Sequence, residues 1–363
     1  MKIVQVQTQA EAAGAQRVSD MVGAGLRARG HDVRTVFLYR KTDAYDGDPH
    51  ADFVLSHKPR SAGDLLRAAT GLVRYMRRAR PDAVISYQHY GNIAGTIAGR
   101  LAGARHLVAN QSGAPGKHGG WPAALADQVL GRTGAYHYSI ANSGWLAAQF
   151  ADYPAGYRRR LKRIDHGIAA EPSTLSQREA RATFDLPAGA YLMVSSGRLT
   201  RDKNQAALIG VLAALPDVHL ALAGVGPEEE PLLALAAAKG VRGRLHLLGE
   251  LPRQQIADFL AAGDVYVFPS RTETFGLAVA EAAIAGLPVV ANDLPVLREV
   301  LGEAALYADA ERPEALAAAV LQVRSDPALA ASLVQAGRQL AERYSPERMC
   351  AAYEALLVGD ATA

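Results

Sequence analysis

The stretch 269–291 holds the most chemistry for its length. Glu273 and Glu281 lie eight residues apart, with Phe275-Gly276 between them and Gly286 and Pro288 after. An apolar run ends at Phe268, a loop follows, and a helix is expected from near Gly276 to Gly286, closed by the glycine-then-proline pattern. Amides of Phe275, Gly276 and Leu277, next to Thr274, would point out of that helix start and make an anion site, Gly276 allowing close approach. A carboxylate beside a phosphate is electrostatically awkward, unless it accepts hydrogen bonds from sugar hydroxyls next to that phosphate. The ordinary alternative is a pair of exposed acids on an amphipathic helix. A second segment points the same way. Ser196-Gly197-Arg198 follows an apolar run, and Lys203 comes five residues after Arg198. A planar fork and a point charge at a strand-to-helix turn suit a diphosphate. A third, Ala223-Gly224-Val225-Gly226-Pro227, reads as a tight turn before a helix, and on its own it is more often a turn than a site.

These segments need a scaffold, and the rest of the chain spells one. Apolar, β-branched runs at 2–7, 32–37, 83–86, 106–109, 138–141, 191–195, 218–223, 244–248, 265–268 and 288–291 alternate with helical patterns such as 15–29, 64–80 and 227–238. Such alternation predicts parallel βαβ units and an α/β chain. A charged segment and Pro187-Ala-Gly precede a fresh strand, which places a domain boundary in 171–190. At 363 residues the chain is long enough for two domains. Doubly wound domains bind ligands at the carboxyl ends of their strands, here expected at a cleft between the two.

Composition excludes several classes. Hydrophobic residues make up 49% and charged residues 21%, the balance of a globular protein. One cysteine, Cys350, rules out a disulfide framework or a cysteine zinc site. No apolar run reaches a membrane span, and the first residues read as a strand and not a signal peptide, so a cytoplasmic protein is expected. Asp46-Gly47-Asp48 matches the metal-binding Asp-x-Asp pattern but lies in a polar loop with no adjoining strand end, which speaks against a metal site there. No G-x-G-x-x-G, G-x-S-x-G or P-loop is present. Charge is uneven. Residues 1–170 carry 23 Lys and Arg against 12 acids, a net +11, and residues 171–363 carry 16 against 24, a net −8. In 64–80, Leu65, Leu66, Ala69, Leu72, Val73 and Met76 form an apolar stripe, and Arg67, Arg74 and Arg78 share another face, with Arg77 and Arg80 nearby. Arg158 to Arg163 is a second basic cluster. Such runs are solvated faces or contacts for an anionic membrane surface; the scarcity of interleaved aromatics speaks against nucleic acid.

With these segments in this order, the chain resembles the retaining glycosyltransferases of family 4, the group 1 family, across about residues 191–308 and more loosely elsewhere. The resemblance implies the GT-B architecture, two facing Rossmann-like domains with an interdomain cleft. The first, acceptor-binding domain would be 1–170, completed by a C-terminal helix at 346–363; 171–345 would bind the nucleotide-sugar. It implies that Arg198 and Lys203 neutralise the leaving diphosphate in place of a metal. Glu281 would hold the ribose, Glu273 the donor sugar, and the residues from Thr274 to Leu277 would meet phosphate and sugar, with Leu251 near the base. Gly14 is kept where the family has a Gly-Gly loop, so backbone can approach the diphosphate there. Gln111 stands where the family often has His, and His166-Gly167 stands where it often has Asn-Gly. His89 and His118 join Gln111 as acceptor-side candidates. The expected activity is a metal-independent, retaining hexosyl-type transfer from a nucleoside-diphosphate-sugar, UDP- or GDP-linked, to an acceptor hydroxyl. That acceptor would be a sugar-containing molecule, soluble or lipid-linked, in polysaccharide or lipopolysaccharide biosynthesis. An epimerase or phosphorylase of the same architecture, or a silent sugar-nucleotide-binding protein, remains the alternative.

Overall fold

The computed structural model describes residues 1–11, 14–115, 120–170 and 172–359. The chain divides into two units, one of Met1–Gly167 with Tyr344–Ala363, the other of Ile168–Arg343. Each is an all-parallel sheet in the order of a doubly wound fold.

In the first unit the strands are β1 (Lys2–Ala10), β2 (Asp32–Arg40), β3 (Ala51–Leu55), β4 (Ala83–Tyr87), β5 (His106–Gln111), β6 (Tyr138–Ala141) and β7 (Leu161–Arg163), in the spatial order 3-2-1-4-5-6-7. In the second they are β8 (Tyr191–Ser196), β9 (Val218–Ala223), β10 (Leu245–Leu247), β11 (Val265–Phe268), β12 (Val289–Asn292) and β13 (Leu306–Ala308), in the order 10-9-8-11-12-13. The inner strands are covered on both faces, so they read as near-continuous apolar runs: Val265 to Phe268 and Val289 to Ala291 are all buried. Chain order reverses between β1 and β4 in one sheet and between β8 and β11 in the other. Loops leaving neighbouring strands there diverge, and the gap they leave is where such folds bind ligands.

The C-terminal helix Pro346–Val358 packs on the helix Gly14–Ala28 of the first unit. A Cβ at Gly25 would lie 2.3 Å from Cys350 Sγ, so glycine is what lets the two helices touch. Tyr353 hydroxyl donates to Asn110 Oδ1 at the end of β5, which ties the last helix to the sheet.

The basic helix runs Ala62–Ala79 and corrects the stripe read from sequence. Its buried residues are Asp64, Ala68, Leu72 and Met76, spaced by four, while Leu65 and Leu66 are 62% and 65% exposed. The phase is set at the helix start. Ser61 caps it by accepting from Asp64 N, and Asp64 accepts in return from the Ser61 amide, so Asp64 turns inward and its two neighbours turn out.

Candidate functional site

In the second unit the expected donor residues gather at the reversal between β8 and β11. The loop after β8 leaves through Gly197, at φ +142°, and lies on the glycine turn that follows β9. Gly197 N donates to Ala223 O at 2.9 Å and Leu199 N to Val225 O at 3.0 Å. A Cβ at Gly224 would stand 2.0 Å from Gly197 O, and one at Gly226 2.2 Å from Leu199 O. Both glycines are there because backbone meets backbone. The turn therefore seats the loop that presents Arg198, whose side chain is exposed. Lys203 follows in a 3-10 turn, Arg201–Lys203. The loop after β11 is stitched to this turn, with Arg271 N donating to Asp202 O at 2.7 Å and Ser270 Oγ at 3.3 Å. That stitching brings Lys203 Nζ to 2.5 Å from Glu273 Oε1, with Nζ 5.5 Å from the Phe268 ring centroid.

The two residues, each read separately from the sequence, form one ion pair here. A diphosphate would compete with Glu273 for the ammonium, and the freed carboxylate could then accept from hydroxyls. Next to it, Gly276 adopts φ +88° and caps the helix Leu277–Ile284. A Cβ at Gly276 would meet Leu297 Cδ2 at 2.7 Å. Phe275 is buried, Thr274 and Leu277 are half-buried, and Glu281 lies buried in the body of the helix. Leu251, half-buried, follows the end of β10.

In the first unit, of the acceptor-side candidates, His89 opens the helix that follows β4 and Gln111 is the last residue of β5. Gln88 starts the helix His89–Leu101 at φ +61°, its Oε1 accepting from Thr8 N at 3.1 Å. A pocket is lined by His89, Gln111, Asp127, Phe150 and Tyr153. His89 Nε2 is enclosed without a hydrogen-bond partner. Gln111 is buried, and its Nε2 lies 2.8 Å from Tyr157 hydroxyl, 3.1 Å from Ser139 Oγ and 3.2 Å from Asp127 Oδ1. Two amide hydrogens cannot serve three acceptors at once. Asp127 was not singled out in the sequence. It accepts from Tyr136 at 2.8 Å and from Tyr157 at 3.0 Å. Burial pushes its carboxyl above the usual range, against the pull of those donors. Its signal was available: a lone acid in an otherwise apolar helical run.

A second pocket shares Gln111 and is lined also by Tyr87, Asn142 and His166. Burial lowers His166 to about 4. Gly14 opens the helix Gly14–Ala28, while Ala12, Ala13 and His118 lie outside the described residues. In the Asp-x-Asp loop, Asp46 pairs with Arg40 at 3.1 Å and Asp48 accepts from His50 N at 2.8 Å.

Residues 176–340 match the family described as glycosyl transferases group 1, and residues 13–164 match the glycosyl transferase 4-like domain. The chain belongs to the group 1 glycosyl transferases. Among curated proteins, the lipopolysaccharide core biosynthesis glycosyltransferase LpsE of Rhizobium meliloti is 36% identical over 221 residues, 60% of this chain and 63% of that protein. The match spans about half the length of the curated relatives, for example 57% of LpsD of the same organism and 52% of a D-inositol 3-phosphate glycosyltransferase of Corynebacterium urealyticum. Among solved structures, Anabaena HepE in complex with UDP and glucose superposes with a TM-score of 0.86 at 20% identity, covering 99% of this chain and 100% of that one. WaaG, a glycosyltransferase involved in lipopolysaccharide biosynthesis, gives 0.79 at 17% identity, over 98% and 100%. At these identities the likeness speaks for the fold, which is GT-B.

Proposed function

We propose that this group 1 glycosyl transferase moves a sugar from a nucleoside-diphosphate-sugar to a hydroxyl of a cell-envelope glycan, with retention and without a metal. The observation that carries the reading is the Lys203–Glu273 pair at the strand-order reversal, beside the helix start at Gly276 and the loop of Arg198. Arg198 and Lys203 would neutralise the diphosphate, and amides at the helix start would add fixed dipoles aimed at the same charge. Glu273 would turn to the sugar hydroxyls, Glu281 to the ribose. In the step itself the acceptor oxygen bonds to the anomeric carbon on the face the diphosphate leaves. The carbon–oxygen bond to the diphosphate breaks with its electron pair, and the acceptor proton passes to a diphosphate oxygen. The protein supplies position and charge compensation. The acceptor would sit in the first unit, against His89, Gln111 and Asp127. The relation to LpsE, a lipopolysaccharide core biosynthesis glycosyltransferase, supports a lipopolysaccharide-type acceptor, which if lipid-linked would be met at the inner face of the cell membrane.

The test is thermal shift with UDP, GDP, ADP, TDP and CDP, with and without EDTA, followed by transfer assays with the corresponding sugars. A ligand at 100 times its dissociation constant stabilises by about 2.7 kcal/mol. One diphosphate should stabilise regardless of EDTA, and its sugar should be consumed only with acceptor present. Turnover without acceptor would make the protein an epimerase, and turnover needing phosphate a phosphorylase. Binding with no turnover of any kind would make it a silent binder.

A further inference from the structure

The strand-order reversal that holds the donor residues has an unequal seam. β8 pairs with β9 along its whole length, from Tyr191 to Ser196. Against β11 its ladder ends at Val194, opposite Tyr266. At Ser196, two residues further on, a side chain takes the place of the missing strand. The Tyr266 hydroxyl accepts from Ser196 N at 3.2 Å and lies 3.3 Å from Ser196 O and 2.9 Å from Ser196 Oγ. A phenol has one hydrogen and two lone pairs, so it can hold a backbone N–H and a backbone C=O together, as a neighbouring strand would. Tyr266 is fully buried. Burial keeps the phenol protonated, and the carboxylates of Glu281 and Glu273 add to that push.

What the hydroxyl holds is the root of the cation loop. Gly197 and Arg198 follow Ser196 directly, and Gly197 N is fixed to Ala223 O on the β9 side. The chain is therefore gripped from both sides just before Arg198. The Tyr266 ring serves the second cation. Its centroid lies 6.2 Å from that of Phe268, with the planes 26° apart, and Lys203 Nζ stands 5.5 Å from the Phe268 centroid. One side chain thus touches the supports of both cations. Packing alone asks only for the ring, which phenylalanine would supply; the hydroxyl is what the loop uses.

We infer that Tyr266 is a positioning residue for the diphosphate cations: its hydroxyl replaces strand pairing at the reversal and so sets the loop that presents Arg198. This deepens the donor-site reading and rests on it. The test compares the full chain with Tyr266→Phe and Ser196→Ala by titration calorimetry, using UDP, GDP, ADP, TDP and CDP and the matching nucleosides. Hydrogen exchange of residues 196–203 is followed without nucleotide. Phenylalanine keeps the ring and its stacking on Phe268, so Tyr266→Phe should fold. It should speed exchange in that segment and weaken diphosphate binding by about ten-fold, the scale of a substitution that acts through a neighbour. The nucleoside, which lacks phosphates, should bind as it does to the parent. Ser196→Ala keeps both backbone contacts and should lose less. A merely structural hydroxyl would lower the melting temperature and weaken diphosphate and nucleoside alike. That result, or a diphosphate affinity unchanged in Tyr266→Phe, would overturn the inference and leave the transferase reading standing. So would an equal loss in Ser196→Ala, which would trace the effect to the serine hydroxyl instead of the backbone. If the parent binds none of the five diphosphates, the donor-site reading fails and the positioning role falls with it.

Discussion

Lys203 and Glu273 neutralise each other at 2.5 Å, which makes their substitutions informative in opposite directions. Glu273→Ala frees the ammonium. Transfer should fall by more than about 100-fold, the scale of losing one transition-state contact, while nucleoside-diphosphate binding stays level or tightens. Lys203→Ala should weaken binding of the same diphosphate. Titration calorimetry on the two variants checks this, and equal loss of binding in both would sink the sugar-facing role of Glu273. His166 makes a separate prediction. Its folded value near 4 lies below the ordinary 6.5, so the unfolded chain takes up the proton first. Its contribution is full above about pH 6.5 and is lost as pH falls toward 4, by about 3 kcal/mol in all. His166→Asn cannot be protonated, so its melting temperature should fall less than the parent's between pH 7 and 4.5.

At the scale of elements, the glycine turn after β9 supports the cation loop. A methyl at Gly226 would drive into Leu199 O, and one at Gly224 into Gly197 O, in a backbone conformation other residues rarely adopt. Gly226→Ala should cost about 1–3 kcal/mol of stability and weaken diphosphate binding as the Arg198 loop shifts, both readable in one thermal-shift experiment. The same elements show what the sequence makes legible. Long, doubly covered strands announce themselves, and so does the helix that ends at Gly286-Leu-Pro288. Of the four sheet-edge strands, β10, with Leu245 buried, is legible at 244–248, whereas β3, β7 and β13 bury no residue fully and do not stand out from loops. Leu65 and Leu66 read as part of the apolar stripe because hydropathy gives a helix a period but not a phase, and the Ser61–Asp64 cap sets the phase. Arg198, Lys203 and Glu273 could be picked out by type and spacing. That Lys203 touches Glu273 could not, since the contact joins loops 70 residues apart. Asp127 was missed because its importance comes from tyrosines that reach it from other elements.

For the whole molecule, the connectivity matters most. The path leaves the first unit at Gly167 and returns at Tyr344, so the first unit is built from two pieces of sequence. Removing residues 344–359 should uncover the Gly25 contact and the Asn110 partner, and so loosen the first unit while leaving the second intact. Limited proteolysis should then cut within 1–167 and spare 168–343; equal resistance of both halves would show the last helix to be dispensable.

The order of synthesis gives that returning helix a further consequence. On the ribosome, residues 168–343 emerge and can close their own sheet while the earlier-made half still lacks its final helix. The half that leaves the exit tunnel first is therefore the last to be completed. The face of the helix Gly14–Ala28 that seats Cys350 would stay uncovered until its neighbour is made.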